Sequence, residues 1–101
     1  MSIHISCYTT YNLAELQGKL NAFAEKYPCV FPAQYYLSNG VIPHPIQREV
    51  ASDFGLVPCS YFVISVNNKS LKISTGEMAE MIRKELGSDN VIVLLNGEDL
   101  I

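Results

Sequence analysis

The chain has no tryptophan and only two histidines, and its six glycines stand apart from one another. Isolated glycines exclude a Gly-rich phosphate cradle, which needs several close-spaced residues without a Cβ. Two imidazoles leave few routes to a metal centre or a catalytic triad. His4 and Cys7 sit three apart on a predicted strand, where they point to opposite faces and make a poor metal pair. The three cysteines, Cys7, Cys29 and Cys59, form neither an even disulfide framework nor a close-spaced ligand pair. Charged residues make up 17% of the chain, below the usual share of about a quarter. Its seven basic residues are scattered, with only Arg83 and Lys84 adjoining, so there is no basic stripe to neutralise phosphates. No apolar run approaches the ~20 residues needed to cross a bilayer. Met1 is not followed by a basic segment and an apolar one, as a signal peptide would require. Together these absences predict a cytosolic protein with reduced thiols, no cofactor, no metal, and neither a nucleic-acid nor a membrane partner.

What is present is apolar material. Hydrophobic residues are 49% of 101 residues, enough for a single core spanning residues 1–101 as one domain. A net charge of −3 and a pI near 5.2 suit a soluble protein or one that meets a basic partner.

Ile3, Ile5 and Cys7 alternate with His4, Ser6 and Tyr8, the period of a half-buried strand. Asn12 with Glu15 three residues on is a capping box opening a helix over about 13–27, which Pro28 stops. Within it Leu13, Leu16, Leu20 and Phe23 recur at helical spacing. A strand is predicted over about 33–37, then a turn at Ser38-Asn39-Gly40. Pro45 suits the first position of a short helix whose Ile46, Val50 and Phe54 fall on one face, and Gly55 ends it. Tyr61 to Val66 is apolar on both faces and predicts a central strand. Leu71 to Ile73 can fold back on it as a hairpin partner beyond the Asn67-Asn68 turn. Ser74 and Glu77 form a second capping box, opening a helix with Met78, Met81, Ile82 and Leu86 inward. Val91 to Leu95 reads as a buried final strand, followed by an acidic tail. The expected order is β-α-β-α-β-β-α-β, an α/β domain with a mixed sheet and helices packed on it.

The segment Glu49-Val50-Ala51-Ser52-Asp53-Phe54-Gly55-Leu56-Val57-Pro58 resembles the helix, turn and proline that lead into the third strand of the thioredoxin-like fold. Leu20-Asn21-Ala22-Phe23-Ala24-Glu25-Lys26-Tyr27-Pro28 is similar to the end of that family's first helix. The resemblance spans most of residues 3–86 and implies a thioredoxin-like sheet with Pro58 beside an active thiol. The family's Cys-x-x-Cys is absent, and Cys7-Tyr8-Thr9-Thr10 stands in its place. A competing expectation is a ferredoxin-like α+β sandwich. It uses strands near 3–8, 33–37, 60–66 and 91–95, with the middle helix as an insertion.

Two functional readings follow. In the first, the chain is a non-enzymatic protein-binding inhibitor of a basic partner, such as an immunity protein or antitoxin guarding against a nuclease toxin. Acidic residues, among them Glu77, Glu80, Glu85, Asp89, Glu98 and Asp99, would steer association. Tyr35 and Tyr36 lie in the charge-free stretch 30–46, and tyrosines there suit partner contact by pairing large area with a polar tip. His44, held between Pro43 and Pro45, is a loop candidate for the same role. In the second reading, Cys7 acts as a single redox thiol with Pro58 and Cys59 nearby, its pKa lowered by the start of the first helix. Against it, Cys7 completes the apolar alternation of the first strand and packs as a small hydrophobe.

Overall fold

The computed structural model of the chain describes residues 3–31, 35–66, 73–96 and 99–101. Its elements run β1 (His4–Thr9), α1 (Leu13–Lys26), β2 (Tyr35–Leu37), α2 (Pro45–Asp53), β3 (Ser60–Val66), α3 (Thr75–Leu86), β4 (Val91–Leu95) and β5 (Asp99–Leu100). The helices start where short polar side chains can take up free backbone N–H groups. The Asn12 side chain accepts from the Glu15 backbone N–H through Oδ1 at 2.8 Å and donates from Nδ2 to the Glu15 carboxylate at 3.0 Å. Ser74 accepts from the Glu77 amide at 3.1 Å. Pro45 occupies the first turn of α2, where it has no N–H to waste. Gly55, past the end of α2, and Gly87, closing α3, take positive φ of 87° and 89°, a backbone state that glycine reaches without steric cost.

The five strands form one sheet in the order β2-β3-β1-β4-β5. Every pairing among the described residues is antiparallel, which corrects the expected mixed sheet. β1 lies at the centre, with Cys7 opposite Phe62 on one side and Val93 on the other. The order β2-β3-β1-β4 and its pairing are compatible with the ferredoxin-like alternative, with α2 inserted and β5 added at the far edge. The expected hairpin strand near Leu71 falls largely outside the described residues, and Ile73 is in a bend. What reads in sequence as an acidic tail instead pairs with β4, Leu100 opposite Leu94.

The two sheet faces differ. On one, Ile5, Cys7, Phe62, Ile64 and Val93 pack against Leu16, Leu20 and Phe23 of α1 and Met78, Ile82 and Leu86 of α3. All of these are 2% exposed or less. Burying one such large side chain contributes on the order of 1.5–3 kcal/mol. On the other face, Tyr8 and Leu94 pack with Ala51 and Leu56 in a smaller cluster that Val50, Tyr61 and Ile92 adjoin. That cluster lies under α2.

A buried polar knot joins the end of β1 to the start of β3. The Ser60 hydroxyl donates to the Tyr11 carbonyl at 2.7 Å, so the Thr9 hydroxyl 2.6 Å away supplies the proton between them. The Tyr11 hydroxyl in turn donates to the Leu86 carbonyl at 2.6 Å. No buried side-chain nitrogen or oxygen among the described residues lacks a partner.

Candidate functional site

Strand pairing decides which side chains share the face that carries α2. In an antiparallel ladder, directly opposed residues point the same way. Tyr36 is opposite Ser65, and Ser65 is opposite His4. Val63 is opposite Ser6, Ser6 is opposite Leu94, and Leu94 is opposite Leu100. Tyr8, between Tyr61 and Ile92, lies further along the same face, and its ring stacks on Tyr61 with centroids 5.6 Å apart. Val41 forms an isolated bridge to Tyr61 and extends the face past the end of β2.

α2 covers the part of this face that holds Tyr8, Tyr61, Ile92 and Leu94. Val50 packs down with Ala51, while Ile46 and Phe54, one turn to either side of Val50, stay 66% and 41% exposed. Of the three residues expected on one face, only Val50 therefore packs against the sheet. The reason is geometric: a helix of nine residues set on a small cluster presents only its central turn. At the other end of the face Tyr36 is 55% and Leu100 60% exposed, His4 is exposed, and Ser6, Val63 and Ser65 are half-buried. None of these residues carries a carboxylate, ammonium or guanidinium. The solvent side of an antiparallel sheet is ordinarily lined by polar and charged residues.

The expected partner residues scatter. Tyr36 stands on the open face. Tyr35 points the other way, is fully buried, and donates its hydroxyl to the Ile73 carbonyl at 2.7 Å; it is core, and its assignment to the surface is corrected. Burial raises its pKa, with Glu77 adding to the shift. His44 is exposed but has a local task. Its Nδ1 accepts from the Ile46 amide at 3.3 Å, and the Gln47 side chain accepts from the His44 amide at 2.8 Å, so it caps α2. Glu77 and Glu80 are exposed on α3 and Asp99 on β5, while Glu98 lies outside the described residues. Glu80 is held by Arg83, whose other arm donates to the Ile101 carbonyl at 2.9 Å. Glu85 is paired with Lys26 at 2.5 Å. Glu77, Asp89 and Asp99 have no side-chain ion pair among the described residues.

The thiols do not converge. Cys7 is fully buried at mid-strand, and burial pushes its pKa far up, the reverse of what a reactive thiolate needs. α1 begins only at Leu13, so its dipole does not reach Cys7. Pro58 is buried and Cys59 exposed, the Cys59 amide donating to the Thr9 carbonyl at 2.8 Å. The redox reading of Cys7, Pro58 and Cys59 is therefore corrected. All three cysteines are free. Among the described residues no cluster of His, Cys, Asp and Glu could hold a metal ion, and no helix is long and apolar enough to cross a membrane.

Sequence reasoning missed most of the open face. Val63 and Ser65 read as part of a strand buried on both sides, and Leu100 as tail. The available signal was that four of the five strands contain no Asp, Glu, Lys or Arg, Asp99 in β5 being the exception.

Comparison with known proteins places this geometry in a family. The chain is similar in structure to a chain of the CdiA-CT/CdiI toxin and immunity complex from Burkholderia pseudomallei. The TM-score is 0.90 at 19% identity, covering 97% of this chain and 95% of that one. No curated protein matches in sequence. The thioredoxin-like resemblance is overturned by these findings together with the all-antiparallel sheet. The model of the family described as CDI System Immunity Component matches residues 1–99, and the chain belongs to that family.

Proposed function

We infer that this immunity component neutralises its toxin by direct, non-covalent binding in a stoichiometric complex, and that the toxin is basic where the two meet. The observation that carries the reading is the family match over residues 1–99. The structural neighbour's description as part of a toxin and immunity complex agrees with it. A buried Cys7 and the lack of a metal cluster among the described residues turn attention from turnover to contact.

Basic character of the toxin is supported by the net charge of −3. It is also supported by where the charge is free. Among the described residues Glu77, Asp89 and Asp99 are exposed without ion pairs, whereas Glu80 and Glu85 are already neutralised locally. Glu77 and Asp99 therefore take the steering role, and Glu98 lies next to Asp99 in sequence. Exposed, unbridged Cys29 and Cys59 suit a reducing compartment, so the protein works in the cytoplasm.

Co-expression with the cognate toxin domain tests this directly. A complex that co-purifies at equal stoichiometry and relieves growth arrest is expected. Its association rate should fall roughly tenfold or more between low and physiological salt. Relief of toxicity without any complex would overturn direct binding, and a salt-independent association rate would overturn the basic partner.

A further inference from the structure

We propose that the uncovered half of the α2-bearing sheet face, centred on Tyr36, Val63 and Ser65, is the core of the toxin contact. This rests on the direct-binding reading above and names its surface. Three observations converge. First, the face crosses the sheet from Tyr36 on β2 to Leu100 on β5 without one fully charged side chain. Depletion of charge at the centre, with tyrosine present, is the compositional mark of an interface core. Second, its apolar members stay open although the chain has a helix on that face. α2 packs only on the cluster of Tyr8, Ala51, Leu56 and Leu94, and leaves Tyr36 at 55% and Leu100 at 60% exposure. Third, the exposed apolar set continues through Val41, Ile42 and Ile46 in the segment that leads from β2 into α2.

Charge selects the occupant. A second copy of this chain would bring another −3 to the contact, and like charges oppose self-association. The family match supplies a toxin as the occupant, and a basic one is attracted to the exposed Glu49 and Asp53 of α2, the helix set on this face, while the neutral centre excludes water.

The test uses the full chain and, as probe, a non-toxic variant of the cognate toxin domain. Calorimetry on Tyr36→Ala should show binding weakened about 30-fold, the loss typical of a central aromatic anchor. Ser65→Arg, which sets an unpaired charge in the same centre, should weaken it on the order of 100-fold. Ala22→Arg on the exposed side of α1, across the molecule, should leave affinity within about threefold. Thermal melting of all three should match the unmodified chain to within a few degrees. Unchanged affinity in Tyr36→Ala and Ser65→Arg, with the unmodified chain binding, overturns the surface and leaves direct binding standing. Failure of the unmodified chain to bind overturns both. A dimer of the unmodified chain that Tyr36→Ala splits, with toxin affinity intact, assigns the face to a second copy and overturns the proposal as well.

Discussion

Phe62 and Val63 are neighbours on β3, yet they live in different environments. Phe62 points into the layer sealed by α1 and α3 and has no exposed surface. Val63 points the other way, half-buried between Ser6 and the far edge of the sheet. The helix-packed face is where the fold is specified. The opposite face is held by one short helix over a small cluster and carries apolar surface that folding does not use. One sheet thus has a side that folding seals and a side that folding leaves partly open.

The sharpest challenge to that division is a matched pair of truncations. Phe62→Ala should cost about 3–5 kcal/mol of unfolding free energy, because it empties a sealed site. Val63→Ala should cost under about 1 kcal/mol. Urea titrations that return similar losses for both would dissolve the contrast.

Alkaline titration reports on the buried groups, Cys7 and Tyr35 on the sealed face and Tyr8 under α2. Buried Cys7 has a raised pKa, and Tyr8 and Tyr35 are raised as well, desolvation being the leading cause in each. In the unfolded chain the thiol ionises near pH ~8.5 and the tyrosines near ~10. Above those values the unfolded state binds fewer protons than the folded one, so stability falls as pH rises. The thiol contributes a loss of about 1.4 kcal/mol per pH unit beyond ~8.5, roughly 2 kcal/mol by pH 10. Stability followed from pH 7 to 10 should show this slope. Cys7→Ala, compared with itself across the same range, should flatten it; an unaltered slope would place the responsible proton elsewhere.

Ser60→Ala probes the polar knot under the helix-packed side. Removing its hydroxyl strands Thr9 and the Tyr11 carbonyl, at a cost of about 1–3 kcal/mol. The smallest effect belongs to the open side. Ile46→Gln should change unfolding free energy by no more than about 0.5 kcal/mol, since the residue is 66% exposed. A loss above 1 kcal/mol would mean that α2 seals more of the sheet than its geometry shows.

Much of the scaffold was readable before the coordinates. Helix starts at Asn12 and Ser74 are local hydrogen-bond facts, and they lie where the capping boxes put them. The spacing of Leu16, Leu20 and Phe23 gave the buried face of α1 for the same reason. Strand pairing is a long-range matter, and there the reading slipped. Tyr61 to Val66 carries apolar residues on alternate and intervening positions alike, which reads as burial on both faces. Nothing local says that α2 is too short to cover the second one. Asp99 and Leu100 look like tail because a two-residue strand has no period to detect. Tyr35 and Tyr36 could not be told apart in sequence: adjacent residues on a strand take opposite faces, and only the register with Val66 and Ser65 fixes which is which. The candidate site was therefore visible as an uncharged stretch, while its true extent across the strands was not.

The sheet's margins bear on how such a molecule stays dispersed before it meets anything. Among the described residues β2 is three residues long and β5 only two, so the paired rims are short templates for further chains to stack on. An apolar plane with such short borders can afford to remain bare, since neighbours meet grease there but little backbone to zip onto.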